Sequence, residues 1–128
     1  MTQDKKLTKV QELVYELKVS DAMTEKVITL TPQSLMSELR EVLKSNRISG
    51  TPIVEGGRLV GIISIEDFIK WLLDGGRDCA IKDKMVVNVK MLYADEPLVH
   101  AVSKIEKYGF GRLPVLDRDS GKMVGVIT

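Results

Sequence analysis

The chain has 128 residues but only one cysteine, one histidine and one tryptophan. Neither sign of charge prevails, since 19 Lys and Arg stand against 18 Asp and Glu for a formal net charge of +1. A single Cys79 excludes an internal disulfide, and Cys79 with His100 cannot supply a zinc tetrad. No His-x-x-His, Cys-x-x-Cys or Gly-x-Ser-x-Gly occurs. A dyad of Cys79 and His100 would need the fold to join a linker thiol to a helical imidazole, so the expectation is no catalytic residue, no metal site and no enzyme. Without a basic block there is nothing to neutralise a run of phosphates, which argues against nucleic acid as a partner. The longest apolar-plus-glycine stretch, Leu59 to Ile63, is far too short to cross a bilayer, so no membrane insertion is expected. The stretch Met1 to Lys6 has no apolar core of a secretory signal, and a cytoplasmic location is expected.

What the chain does have is internal repetition. A shift of 62 residues lays Asp21 and Met23 on Asp83 and Met85, Val27 to Leu30 on Val89 to Leu92, and Thr51 to Val54 on Leu113 to Leu116. Beyond the prolines the shift becomes 64, and Arg58 to Ser64 falls on Lys122 to Thr128. The two extra residues enter at the turns Glu55 to Gly57 and Asp117 to Gly121, where a hairpin tolerates insertion. A copy of about 60 residues is marginal alone, so the two copies are expected to pack on each other.

Each copy reads as strand, helix, strand, strand, helix. Val27 to Leu30 is a short β-branched strand, and Thr31 with Pro32 signals a helix start. Leu35, Leu39, Val42 and Leu43 recur at helical spacing and predict about three turns ending near Asn46. In the second copy Asp95 and Pro97 open the equivalent helix, Leu98, Ala101, Val102 and Ile105 form its apolar face, and Gly109 is its expected C-cap. Thr51 to Val54 and Arg58 to Ser64 predict a hairpin whose second strand is almost continuously apolar, as burial on both faces requires.

That second strand runs straight into a helix at Ser64 to Asp67. Ser64 as N-cap with Asp67 three residues on is a variant of the capping box, favourable for the helix dipole. The same pair, a hydroxyl and a carboxylate at a helix N-terminus, can also hold a phosphate and accept from vicinal ribose hydroxyls. Spacing alone leaves both readings open. The apolar-rich helix Phe68 to Leu73 carries Trp71, which marks a dimer face if exposed and core if buried.

In their order and duplication, the Met-x-x-x-Val start, the h-x-x-x-Pro-h-h strand and the Gly-h-h-Ser/Thr-x-x-Asp exit resemble tandem cystathionine-β-synthase (CBS) domains, a Bateman module. The resemblance covers residues 19 to 128. It implies an α/β (α+β) architecture of two pseudo-twofold related β-α-β-β-α repeats packed sheet to sheet, leaving two clefts that often take adenosine compounds. The expected divisions are an N-terminal amphipathic helix at 1–18, repeat 1 at 19–75, a linker at 76–80 and repeat 2 at 81–128. The helix rests on the stripe Leu7, Val10, Leu13, Val14 and Leu17.

Carried over by resemblance, the first cleft uses Ser64 on phosphate or ribose and Asp67 on ribose hydroxyls, with Met85, Lys90, Phe110 and Gly111 holding the base. Phe110 either packs on an adenine face or is an ordinary residue between the copies. The second cleft draws on Met23, Ile28, Ile48, Ser49 and Gly50, with Thr128 at its phosphate corner. Arg112 aligns with a phosphate-binding Arg of some members, although an Arg also serves as a solvated face. The second copy stops at Thr128, before the x-x-Asp and final helix of the pattern, so the chain is expected to be a fragment of a longer protein. The implied function is a regulatory sensor that needs no cofactor. It would bind AMP, ADP or ATP, with NAD and S-adenosylmethionine as other ligands, and modulate an attached effector domain as a homodimer. The alternative is a ligand-free dimerisation scaffold.

Overall fold

A computed structural model describes residues 16–109 and 112–128. The expected N-terminal helix therefore lies, but for its last residues, outside the described residues. The elements in chain order are α1 (Val19–Ala22), α2 (Met36–Asn46), β1 (Gly50–Glu55), β2 (Arg58–Ser64), α3 (Ile65–Leu73), β3 (Leu92–Tyr93), α4 (Leu98–Tyr108), β4 (Leu113–Leu116) and β5 (Met123–Ile127), with a 3-10 turn at Ile81–Asp83. They fall into two compact units. A central unit spans Ile28–Val89, and a terminal unit joins the described residues up to Val27 to those of Lys90–Thr128.

In the central unit β1 and β2 form an antiparallel hairpin across Gly56 and Gly57. Leu30 lies parallel beside Ile53 at one edge, and Val86 lies antiparallel beside Ile62 at the other. The terminal unit repeats this plan. There β3 pairs in parallel with β4, β4 pairs antiparallel with β5, and Thr24 lies antiparallel beside Val126. Even the register shift recurs, between Ile53 and Val54 and again between Val115 and Leu116. Each unit thus takes one sheet edge from the opening segment of the other sequence copy: Thr24 precedes the first copy's hairpin yet completes the second's.

The cores follow the apolar periodicity. Met36, Leu39 and Leu43 recur on one face of α2 and pack with Ile53, Ile63, Trp71 and Ile81. In the terminal unit Val19, Leu92, Ala101, Leu113, Val115 and Ile127 do the same. Complete burial of one such aliphatic side chain contributes about 1.5–3 kcal/mol.

Two local expectations need correction. The strand expected at Val27 to Leu30 is reduced to the single pair at Leu30, because Pro32 has no N–H, the Thr31 N–H goes to Ser34 Oγ at 3.1 Å, and the Ile28 carbonyl takes the Thr51 hydroxyl at 2.6 Å. The helix expected after Thr31 and Pro32, α2, begins only at Met36, since Thr31 and Ser34 close a turn of their own. With Leu35 as N-cap and no side-chain cap of its own, α2 is capped from a distance. Asp78, in the segment after α3, accepts the Ser37 N–H at 3.1 Å and the Ser37 hydroxyl at 2.7 Å, while the Met36 N–H reaches the Cys79 carbonyl at 2.9 Å. At the other end Gly109 adopts φ 68° and closes α4, as the sequence suggested.

The Ser37 hydroxyl holds the Asp78 carboxyl below its ordinary value of 3.8. A carboxylate whose pKa is depressed by folding stabilises the fold above its unfolded value and loses that contribution as pH falls through the folded one. Stability is therefore expected to decline below about pH 4, and Ser37→Ala should move the Asp78 titration, followed by NMR, back towards 3.8. An unchanged Asp78 titration in that variant would show that the Ser37 hydroxyl does not hold the carboxylate.

The paired methionine and glycine of each copy have a packing explanation. A Cβ on Gly61 would lie 2.6 Å from Met85 Sδ and 3.0 Å from the Val86 carbonyl oxygen, and one on Gly125 would lie 2.8 Å from Met23 Sδ and 2.9 Å from the Thr24 carbonyl oxygen. The thioether can swing away, but the paired backbone cannot. Gly125→Ala is expected to lower stability by about 1–3 kcal/mol in urea denaturation. An unchanged midpoint would mean that the segment around Thr24 is free to move.

Candidate functional site

At the open end of the β1–β2 hairpin Gly50 pairs with Ser64, and the chain enters α3 with no intervening loop. The Ile65 N–H donates to the Ser49 carbonyl at 2.8 Å, which locks the helix start to the neighbouring strand. A Cβ on Gly50 would stand 3.0 Å from the Ile63 carbonyl oxygen and 3.4 Å from Ser64 Cα, so a bare backbone suits this approach. Ser49, Gly50, Ser64 and Asp67 are thereby gathered at one corner of the central unit.

Ser64 is extended, with φ −112° and ψ 168°, and caps α3 in a complete capping box. Asp67 Oδ2 accepts the Ser64 N–H at 2.9 Å and the Ser64 hydroxyl at 2.9 Å, while the Asp67 N–H donates to Ser64 Oγ at 3.3 Å. The cap reading is realised, and it shapes what the corner can do chemically. The Ser64 proton is committed to Asp67, so the hydroxyl would have to leave that carboxylate before donating to a phosphate. Asp67 needs no such change, because Oδ2 makes both contacts and Oδ1 accepts no hydrogen bond from the described residues. A fixed carboxylate with a spare oxygen suits a ligand that presents hydroxyl donors.

The other candidate residues divide between the units. In the central unit Met85 is half-buried against Gly61, Ile48 packs on the core, and Ile28 and Ser49 are exposed. In the terminal unit Met23 is half-buried, with its thioether beside Gly125. Lys90 Nζ lies 4.9 Å from the centre of the Tyr108 ring, and Lys107 Nζ lies 5.2 Å from it. Two cations thus share one aromatic ring, a pairing that the sequence reading missed because it weighed Lys90 without Tyr108. Leu113 pairs with Ile127, so half-buried Arg112 and exposed Thr128 flank one end of the β4–β5 hairpin as Gly50 and Ser64 flank that of β1–β2. Phe110 and Gly111 lie outside the described residues. Cys79 belongs to the central unit and His100 to the terminal one, where His100 Nδ1 is 3.8 Å from Glu96.

Trp71 is core, with 7% of its surface exposed, and its indole N–H donates to the Arg77 carbonyl at 2.7 Å. Among the described residues no cluster of three or more His, Cys, Asp or Glu could hold a metal ion, and no helix is long and apolar enough to cross a membrane.

Comparison with known proteins agrees with this duplicated plan. The CBS domain model matches twice, at residues 19–74 and 81–128. The chain is 33% identical to a CBS domain pair solved in complex with 5′-methylthioadenosine and S-adenosyl-L-methionine, with a TM-score of 0.75 over 88% of this chain and 89% of that one. It is 25% identical to the CBS-pair protein CBSX2 of Arabidopsis thaliana in complex with AMP, with a TM-score of 0.76 over 87% of this chain and 89% of that one. Among curated relatives it is 34% identical to an L-aspartate semialdehyde sulfurtransferase of Methanocaldococcus jannaschii, over 86% of this chain but 21% of the relative. It is 31% identical to an inosine-5′-monophosphate dehydrogenase of Korarchaeum cryptofilum, over 80% of this chain and 21% of the relative. The chain spans about a fifth to two fifths of the length of most of the curated relatives it matches, and 68% of a 17.7 kDa relative of Acidianus ambivalens. With a repeated sequence, a repeated strand plan and two family matches, the chain belongs to the CBS domain family and carries two such domains in tandem.

Proposed function

We propose that this CBS pair is a ligand-sensing module that binds an adenosine compound and passes that binding to an attached effector domain. The observation that carries the reading is the corner at the start of α3, where Asp67 is fixed by Ser64 yet keeps one carboxylate oxygen for a ribose. The similar pairs solved with AMP and with S-adenosyl-L-methionine support an adenosine ligand. The enzyme names among the longer relatives support an effector elsewhere in a longer chain, with no chemistry performed by the pair itself. Binding that favours one arrangement of the pair by about 1–3 kcal/mol is enough for such control. A cytoplasmic setting, where AMP, ADP and ATP are abundant, fits this role.

Calorimetric titration against AMP, ATP, NAD and S-adenosylmethionine, metal-free and with magnesium, tests the reading. Saturable heat with one of them is the expected result, and silence with all would overturn it. A second reading, a dimerisation scaffold, is favoured by one face of α3, where Ile65, Ile69, Leu72 and Leu73 are 43%, 48%, 50% and 81% exposed. Sedimentation is expected to show a homodimer that Leu72→Lys with Leu73→Lys converts to monomer. A monomer in the unaltered chain would remove the scaffold reading.

A further inference from the structure

The nine-residue α3 has the Ser64 and Asp67 corner at its N-terminus, and at its other end, about 13 Å away, it borders a separate cavity. The helix stops in a two-bond reversal, in which the Gly75 N–H reaches the Leu72 carbonyl at 3.1 Å and the Gly76 N–H reaches the Trp71 carbonyl at 3.0 Å. Both glycines hold positive φ, at 112° and 64°. The chain then turns back so that the Arg77 carbonyl takes the Trp71 indole N–H. Beside this reversal lies a solvent-open cavity of about 260 Å³, lined chiefly by Trp71, Asp74, Arg77, Cys79, Asp83 and Lys84, its four charged residues exposed.

The charges in this lining decide what it fits. Two carboxylates and two cations border one small space, yet among the described residues none of the four makes an ion pair or a side-chain hydrogen bond. The volume falls below the roughly 300 Å³ at which pockets begin to hold drug-sized molecules, so a nucleotide is too large for it. Because its N–H is already used by Arg77, the indole offers an apolar wall. We propose that this cavity is a second binding site, for a small zwitterion bearing one ammonium and one carboxylate group, the class of the free α-amino acids. The Arg77 fork receives the carboxylate, Asp74 and Asp83 receive the ammonium group, and the Trp71 face covers an aliphatic side chain. The four lining charges sum to zero, so a zwitterion keeps the site neutral, whereas a ligand of one charge alone would leave it with a net charge.

Both reporters are built in, because Trp71 is the only tryptophan and Cys79 the only cysteine of the chain. The test uses the whole chain with L-alanine, L-serine, L-glutamate and L-lysine, and with propionate and propylamine as single-charge controls. It follows Trp71 fluorescence and the rate of Cys79 alkylation by iodoacetamide. At ten times its Kd an amino acid should slow alkylation about tenfold and shift the fluorescence in parallel. Both responses should be lost in Arg77→Ala and in Asp83→Asn. Arg77→Ala keeps the carbonyl that receives the indole, so an unchanged circular dichroism spectrum separates lost binding from lost fold. No response to any of the four amino acids, an equal response to propionate or propylamine, or a response that persists in both variants would overturn the proposal. None of these outcomes depends on whether an adenosine compound binds at Asp67.

Discussion

Asp67→Ala should weaken binding of the adenosine compound by about 10- to 100-fold. A hydrogen bond to a charged group is worth about 1.5–3 kcal/mol, and every 1.4 kcal/mol is tenfold in affinity. The same change removes half of the α3 capping box and should cost about 0.5–2 kcal/mol of stability. Since both effects come from one carboxylate, affinity and stability must be separated. Asp67→Asn does this, because its amide oxygen can still accept the Ser64 N–H while the negative charge is gone. The expected pattern is near-native stability in Asp67→Asn with most of the affinity loss, and Ser64→Ala losing stability with less effect on affinity. That order follows from the Ser64 hydroxyl being spent on Asp67 Oδ2. Calorimetry with thermal melts on the same samples would show it, and full affinity in both Asp67 variants would remove this carboxylate from the site.

How much of this corner was legible in the sequence depends on the range of the interactions that build it. The hairpin, the strand-to-helix junction and the Ser64 cap lie within one short stretch, the cap's partners three residues apart, and spacing revealed them. The Gly109 stop was legible for the same reason. Choosing between cap and site needed coordinates, because both uses of Ser64 and Asp67 have one spacing; the structure shows that the cap is made and that one oxygen is spare. The cap on α2 was not legible, since Asp78 lies 41 residues from Ser37 and nothing in the sequence ties them. The expected strand at Val27 to Leu30 failed because β-branched composition cannot show that the Ile28 carbonyl is taken by a side chain.

Repetition itself was fully legible, but the exchange of edges was not. The shift of 62 residues predicts that Thr24 and Val86 are equivalent, and they are, each lying antiparallel beside the last strand of a hairpin. It cannot say which hairpin each one joins. That Thr24 joins the second copy's hairpin and Val86 the first's is a tertiary choice, made where the Met85 and Met23 thioethers settle on Gly61 and Gly125. A ligand at Ser64 therefore binds a unit that already includes the opening of the other copy, up to Val89.

Trp71→Ala is expected to have the largest effect on stability. The indole is nearly buried, packs with Met36, Leu39 and Ile63 in the central core, and meets the Phe68 ring at 5.5 Å between centroids. Truncating a buried tryptophan to alanine costs about 3–5 kcal/mol, because lost transfer energy and an unfilled cavity add. A unit the size of Ile28–Val89, with stability of about 0.05–0.15 kcal/mol per residue, has little beyond that to lose. Native-state hydrogen exchange should therefore show the amides of Ile53 and Ile63 losing protection more than those of Leu113 and Val115. Trp71→Phe keeps an aromatic ring beside Phe68 and gives up the bond to the Arg77 carbonyl, so its cost should be smaller, about 1–3 kcal/mol. Part of that loss should appear as faster alkylation of Cys79, because the indole bond fixes the Arg77 carbonyl two residues before the half-buried thiol, in the lining they share. A cost below about 1 kcal/mol for Trp71→Ala would mean that the central core closes without the indole. Unaltered Cys79 reactivity in Trp71→Phe would show that the glycine reversal alone shapes the turn.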